Sequence, residues 1–352
     1  MQPMKLGLLL EAWNGRDLQL PIDNVRLVEQ LGYDSVWSSE AYGADALSPL
    51  AYLAAITDRI KLATSVVQIA ARTPAATAMH FATIDALAGG NRVIAGLGLS
   101  GPQIVEGWYG QPWSKPIART RDTVAIMRAI WARKGPVEYH GDAISLPYDG
   151  PGSVGLGKPL KSILHMNPDI PVYIAAGGPA NVKLAAEIAD GWMPMGFDPF
   201  NAASFRPLLE EGAARSGRDL DTLEIHSGCS VVVTDDVRGA FDAIKPMLGM
   251  YVGGMGSKEH NFHKDAMIRR GFGDAAERIQ ELFLAGRKDE AIAAVPDDFI
   301  DSGGLYGSPE RIRERWEPWT RCGITGLTIR AHQPEALELM ADLAGSREGV
   351  HA

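Results

Sequence analysis

The chain has 352 residues, 46% of them apolar and 22% charged, with a formal net charge of -9. That acidic balance excludes a general nucleic-acid or membrane-surface role, since both need basic patches. Two distant cysteines, Cys229 and Cys322, exclude a disulfide framework, and no apolar run reaches membrane-spanning length. Residues 1–5 lead into an apolar strand without a basic region and signal-peptide core, so a cytoplasmic location is expected.

Short apolar strands alternate with helical patterns along the chain. Strands are predicted at 5–10, 35–39, 60–69, 92–97, 172–175, 192–195, 223–233 and 326–330. Helices are predicted near 22–31, 49–57, 75–88, 117–132, 180–189, 202–216, 237–248 and 334–343, with a shorter helical piece at 103–108. Ser308-Pro309 reads as an N-cap followed by proline at the first helical position, starting the helix that delivers the last strand. Eight strand–helix units predict an α/β fold, a closed (β/α)8 barrel over residues 1–352. Such barrels commonly need about 250 residues. The surplus falls in two insertions, about 134–169 and 249–307. The first carries a hairpin pattern over 137–146, then a Gly/Pro-rich loop; the second is helical with glycine-rich ends at 253–256 and 303–304.

Two glycine-rich turns follow strands: Gly96-Leu97-Gly98-Leu99-Ser100-Gly101 and Ala175-Ala176-Gly177-Gly178-Pro179. Glycine lets backbone N–H groups approach an anion, and a following helix adds the positive end of its dipole. The pair predicts a phosphate-bearing cofactor at the C-terminal mouth, with Gly98, Ser100, Gly101 and the stretch Ala176, Gly177, Gly178, Pro179 and Ala180 as contacts. The first turn matches the dinucleotide pattern G-x-G-x-x-G, but that pattern belongs in a first strand–helix unit with an acidic residue about 20 positions on, ending the next strand. Here it follows the fourth strand, and the nearest candidate, Asp122, falls inside a predicted helix.

The segments 32–40, 61–66, 91–98, 122–131 and 171–179, with LLEEGAARSG at 208–217, resemble the bacterial-luciferase-like flavin and deazaflavin superfamily. The similarity is to the branch that uses coenzyme F420 and contains methylenetetrahydromethanopterin reductase and F420-dependent glucose-6-phosphate dehydrogenase. The resemblance implies a TIM barrel of the bacterial luciferase-like type with a non-prolyl cis peptide in the third strand, at Ser65-Val66, behind the cofactor ring. It implies that Gln68 contacts the cofactor, that 176–180 is its phosphate turn, and that Glu40 meets its ring system. It also implies a homodimer acting on a small molecule, with hydride transfer at the deazaflavin C5. An FMN-dependent monooxygenase of the same superfamily is the alternative, and a non-catalytic cofactor carrier a second. Two positions depart from the pattern: Ala41 replaces a histidine, and Gly101 replaces an acidic proton donor.

Glu40 and Glu11 are the catalytic candidates, because carboxylates at strand ends near the mouth can exchange protons. Trp13, Trp37 and Tyr42 are candidates for an aromatic substrate pocket, with core packing as the ordinary alternative. Arg72, Lys115 and Arg119 are candidates for the cofactor's anionic tail. His260 and His263 form a His-x-x-His pair without a third ligand, so no metal site is expected.

Overall fold

The computed structural model describes residues 4–10, 13–14, 17–256 and 258–347. Eight parallel strands form the barrel: β1 (Lys5–Leu9), β2 (Ser35–Ser38), β3 (Lys61–Thr64), β4 (Val93–Gly98), β5 (Val172–Ala176), β6 (Gly191–Pro194), β7 (Glu224–Val233) and β8 (Gly326–Arg330). Each pairs with its successor, and β8 pairs with β1 through Lys5↔Gly326 to Leu8↔Ile329, which closes the ring. The expected (β/α)8 barrel is therefore present. All four residues of β2 and all six of β4 are buried, as expected for strands covered on both faces.

Fourteen helices are described: α1 (Ile22–Gln30), α2 (Leu47–Ala54), α3 (Pro74–Leu87), α4 (Pro102–Gly107), α5 (Pro116–Ala132), α6 (Pro179–Ile188), α7 (Arg206–Ser216), α8 (Val237–Gly254), α9 (Phe262–Arg269), α10 (Gly273–Leu284), α11 (Lys288–Ala293), α12 (Asp297–Ser302), α13 (Pro309–Arg321) and α14 (Pro334–Ala344). Proline takes the first helical position of several, and Ser308 caps α13 by accepting the Arg311 N–H, as the sequence predicts. Among the described residues no helix is long and apolar enough to cross a membrane.

The expected hairpin forms between Tyr139–His140 and Ser145–Leu146. Asp122 of α5 holds it, accepting from Tyr139 Oη at 2.9 Å and from the Ala143 and Ile144 amides at 2.8 and 2.9 Å. The residue that fails as a ribose ligand thus has a structural task. The helical segment before α13 differs from expectation at its start. Gly253 and Gly254 are the last two residues of α8, and a Cβ at either would come within 2.5 Å of the Phe283 side chain of α10. Glycine there admits close helix packing. This segment also contributes a short strand, Gly304–Gly307, which pairs with the upper half of β7. A buried ion pair, Arg270 with Asp198, ties α9 to the loop after β6.

Three rings fill the barrel interior. Trp37, Tyr173 and His226 lie 5.4–5.8 Å apart by ring centroids. Each rests where a neighbouring strand has glycine, at Gly7, Gly191 and Gly326, and a Cβ there would come within 2.4–2.6 Å or closer of the ring. Ala63, Ile94 and Met193 pack against the same cluster, so the barrel is a solid core and chemistry is confined to its ends.

At the N-terminal rim, Glu224 sits beside the His226 imidazole (3.4 Å), forms an ion pair with Lys5, and accepts the Thr325 hydroxyl. His226 first, then Lys5, hold this carboxyl down to about 2 against the burial that would raise it. A glutamate in the unfolded chain titrates near about 4.3. The depressed native value means that this stabilisation is full above the unfolded pKa and is lost as pH falls from about 4.3 toward 2. Glu224→Gln is expected to lower stability at neutral pH by about 1–3 kcal/mol, with the difference shrinking below pH about 3. Denaturant unfolding at a series of pH values measures this, and a pH-independent difference would contradict it.

Candidate active site at the C-terminal mouth

The site begins where β3 breaks step. The Ser65-Val66 peptide is cis, as the family resemblance implies, and pairing with β4 resumes through Val67↔Leu97 and Gln68↔Gly98. Thr64 Oγ1 bonds both the carbonyl (2.7 Å) and the N–H (3.0 Å) of Gly96. A Cβ at Gly96 would lie 1.7 Å from the Thr64 carbonyl oxygen, and one at Gly98 would lie 2.4 Å from Val66 Cγ2. This corrects the expectation for the first glycine turn. Gly96 and Gly98 lie within β4, where their missing side chains make room for the stepped end of β3. Beyond them, Ser100 adopts a left-handed backbone (φ 61). Gly101 is the N-cap of the short α4, with Phe262 from α9 beside it.

The step presents Gln68 to Glu40. The Gln68 N–H donates to Glu40 Oε2 at 2.9 Å, and Gln68 Nε2 donates to the Glu40 carbonyl at 3.1 Å. Arg72 Nη1 pairs with both Glu40 oxygens at 2.8–3.0 Å, and its other nitrogen faces Asp45 Oδ1 at 4.0 Å. The Glu40 side chain is 4% exposed. Tyr109 stands close by: burial, and after it the Glu40 charge, push its phenol up. Because the Glu40 carbonyl fixes the direction of the Gln68 amide, Oε1 points the other way. It is buried without a hydrogen-bond partner. Buried acceptors in folded proteins are nearly always satisfied, so this one points to a donor from outside the chain.

The second glycine turn lies at the end of β5. The Ala176 carbonyl is held by Trp192 Nε1 (2.9 Å) and by the Met195 N–H (3.3 Å). Gly178 is the N-cap of α6 and provides no side-chain cap, and a Cβ there would meet nothing within 4 Å. The start of a ten-residue helix therefore faces open space with its first-turn dipole uncovered.

Other candidates fall elsewhere. Trp37 is fully buried, with Nε1 bonded to Ser35 Oγ, so it is interior packing and not a pocket wall. Tyr42 is 50% exposed, with its ring 6.2 Å from Trp108. Trp13 belongs to a two-residue strand paired with Asp17–Leu18, but its side chain, like all of Glu11, lies outside the described residues. The His263 ring lies 4.6 Å from that of Tyr251, tilted against it, and burial lowers its pKa. Among the described residues no group of three or more His, Cys, Asp or Glu could hold a metal ion. Lys115 is spent on the Asp142 carbonyl at 2.8 Å. Sequence reading missed Asp45 and Tyr109 as neighbours of the Glu40–Arg72 pair, and no local pattern marks either.

A filled parallel barrel with a polar ledge and an uncapped helix start at its C-terminal mouth has the build of a (β/α)8 enzyme. The chain belongs to the luciferase-like monooxygenase family, whose pattern matches residues 11–326. It is 44% identical over 343 residues to a Mycobacterium tuberculosis protein named "Putative coenzyme F420-dependent oxidoreductase", covering 97% of this chain and 99% of that one. It is 29% identical over 334 residues to the 5,10-methylenetetrahydromethanopterin reductase of Methanopyrus kandleri, covering 90% and 91%. The solved coenzyme F420 dependent tetrahydromethanopterin reductase of the same organism superimposes with a TM-score of 0.75 at 25% identity, over 96% of this chain and 97% of that one.

Gly96→Ala places a methyl group inside the Thr64 carbonyl, so it is expected to destabilise the fold by about 3 kcal/mol or more, as severe overpacking does. Gly178→Ala, with open space around it, is expected to stay within about 0.5 kcal/mol. Thermal unfolding of the two variants separates a packing glycine from one that borders free volume.

Proposed function

We propose that this protein is a coenzyme F420-dependent oxidoreductase that acts on a small organic substrate in the manner of the methylenetetrahydromethanopterin reductases. The observation that carries the reading is the orphaned Gln68 Oε1. It is an acceptor held in place by Glu40, at the point where the family resemblance puts a cofactor contact. The donor set fits a deazaflavin on two counts. Gln68 Oε1 accepts from a ring N–H. The α6 start, opened by Gly178, receives a phosphodiester through backbone amides and the helix dipole. When bound, the cofactor supplies two-electron hydride chemistry at C5. Ser65, Val66 and Gln68 support its ring, the 176–180 turn binds its phosphate, and Ser100 and Gly101 border it.

Glu40 is best assigned as a positioning residue. Its two oxygens are engaged by the Gln68 N–H and by Arg72, so it fixes the ledge and does not hand a proton to substrate. With Ala41 and Gly101 where relatives carry acid–base groups, the proton comes from solvent or from Glu11. The similarity to proteins named for coenzyme F420 supports F420 over FMN.

Titration of tryptophan fluorescence with coenzyme F420 and with FMN tests the reading. Saturable quenching by F420, together with consumption of the reduced form when an acceptor is supplied, is the expected result. Tight FMN binding with no F420 response would replace it with the monooxygenase alternative. Gly178→Asp sharpens the test, because an aspartate at the N-cap satisfies the helix while opposing an anion. Its melting temperature is expected to hold or rise slightly, while F420 affinity falls about tenfold or more. Unchanged affinity would remove the α6 start from the cofactor site.

A further inference from the structure

A cavity of about 550 Å3 opens beside the ledge, between the segment after β3, the N-terminal half of α5, and the hairpin loop. That volume suits one small molecule. Pro116, Arg119 and Thr123 recur at i, i+3 and i+7, so one face of α5 lines the cavity. Ile69, Leu99 and Val105 supply an apolar wall opposite the polar face. Lys115, just before α5, donates to the Asp142 carbonyl of the hairpin loop.

Two polar groups inside are uncommitted. Thr123 is 2% exposed, and its hydroxyl is buried with no hydrogen-bond partner. The Arg119 guanidinium, half-buried, has no ion-pair or hydrogen-bond partner among the described residues. The start of the seventeen-residue α5 adds a third, because its N-cap, Lys115, makes no side-chain cap. Arg72 also lines the cavity, but Glu40 already neutralises it. The acidic residues here, Asp142 and Asp149, are exposed at the rim, where water screens them. The inner wall thus offers one unpaired cation, one unpaired hydroxyl and a positive helix end, above an apolar floor.

We propose that this cavity binds a small acid, a carboxylate on an apolar body, with the carboxylate on Arg119 and the Thr123 hydroxyl and the body against Ile69, Leu99 and Val105. A guanidinium and a hydroxyl give a carboxylate charge-assisted hydrogen bonds, and the apolar wall sets a preference for an unsaturated or aromatic acid over an inorganic ion. The site does not depend on which cofactor the protein uses. Arg72 makes it continuous with the ledge, so an acid held there lies beside the proposed redox site.

The test is calorimetric titration of the cofactor-free protein with cinnamate and with cinnamyl alcohol. One saturable cinnamate site is expected, with the alcohol about tenfold or more weaker, as loss of a charge-assisted contact requires. Arg119→Gln is expected to cost about tenfold in cinnamate affinity, and Thr123→Val a smaller loss. Both leave the alcohol unaffected. No saturable binding, equal binding of acid and alcohol, or wild-type affinity in Arg119→Gln would each overturn the proposal. Repeating the titration with saturating coenzyme F420 distinguishes the source of the anion. Unchanged cinnamate affinity supports a separate acid site, whereas competition would assign the cavity to the cofactor's own anionic tail and overturn it. Failure of F420 to bind would leave the cofactor-free titrations standing, so the two readings fail separately.

Discussion

The site depends on how closely β3 and β4 approach one another. Gly96 lets the Thr64 backbone and hydroxyl sit directly on β4, and Gly98 admits Val66. The chain after β3 then rejoins β4 at Val67 and Gln68, with the register moved by one residue. That displacement brings the Gln68 amide to Glu40 and leaves its oxygen without a partner inside the barrel mouth. Larger side chains on β4 would push the strands apart and remove the ledge.

The interior plug confines chemistry to this end. Trp37, Tyr173 and His226 occupy the space that a porous barrel would leave open, each seated on a glycine of an adjacent strand. Below them the Glu224, Lys5 and Thr325 contacts stabilise the N-terminal rim. Above them, Val66 and Ala175 pack on the plug, and both lie next to site residues. Stability and function are thus separated along the barrel axis, the usual division of labour in this architecture.

The Glu40–Arg72 pair links the two regions of the mouth. On one side its carboxylate fixes Gln68, and on the other its guanidinium borders the cavity along α5. A buried pair of this kind contributes little net stability, because desolvation offsets the Coulombic gain. Its effect here is geometric: it holds an acceptor in place and removes one cation from the competition for anionic ligands. Among the described residues lining that cavity, Arg119 is left as the cation open to a ligand.

The sequence by itself determined the eight strands, their order, and the barrel, because apolar strands and helical patterns alternate with a period that local pattern reveals. It also marked the Gly178 turn, Gln68 and Glu40 as separate candidates for cofactor contact, through family resemblance and motif position; the hydrogen bonds between Gln68 and Glu40 appear only in the fold. It read Gly96 and Gly98 as a turn, whereas both lie within β4, since a glycine required by a neighbouring strand looks the same as one required by an anion. Trp37 was equally ambiguous, because an aromatic residue three positions before a site residue can face the barrel axis or the mouth. Only the tertiary structure decided those cases, and only it revealed that Asp122 anchors a hairpin and that Arg119 and Thr123 share a cavity with residues some fifty positions away. The physical reason is the same in each: burial and hydrogen-bond satisfaction are settled by atoms brought from distant parts of the chain, and local pattern carries no record of them.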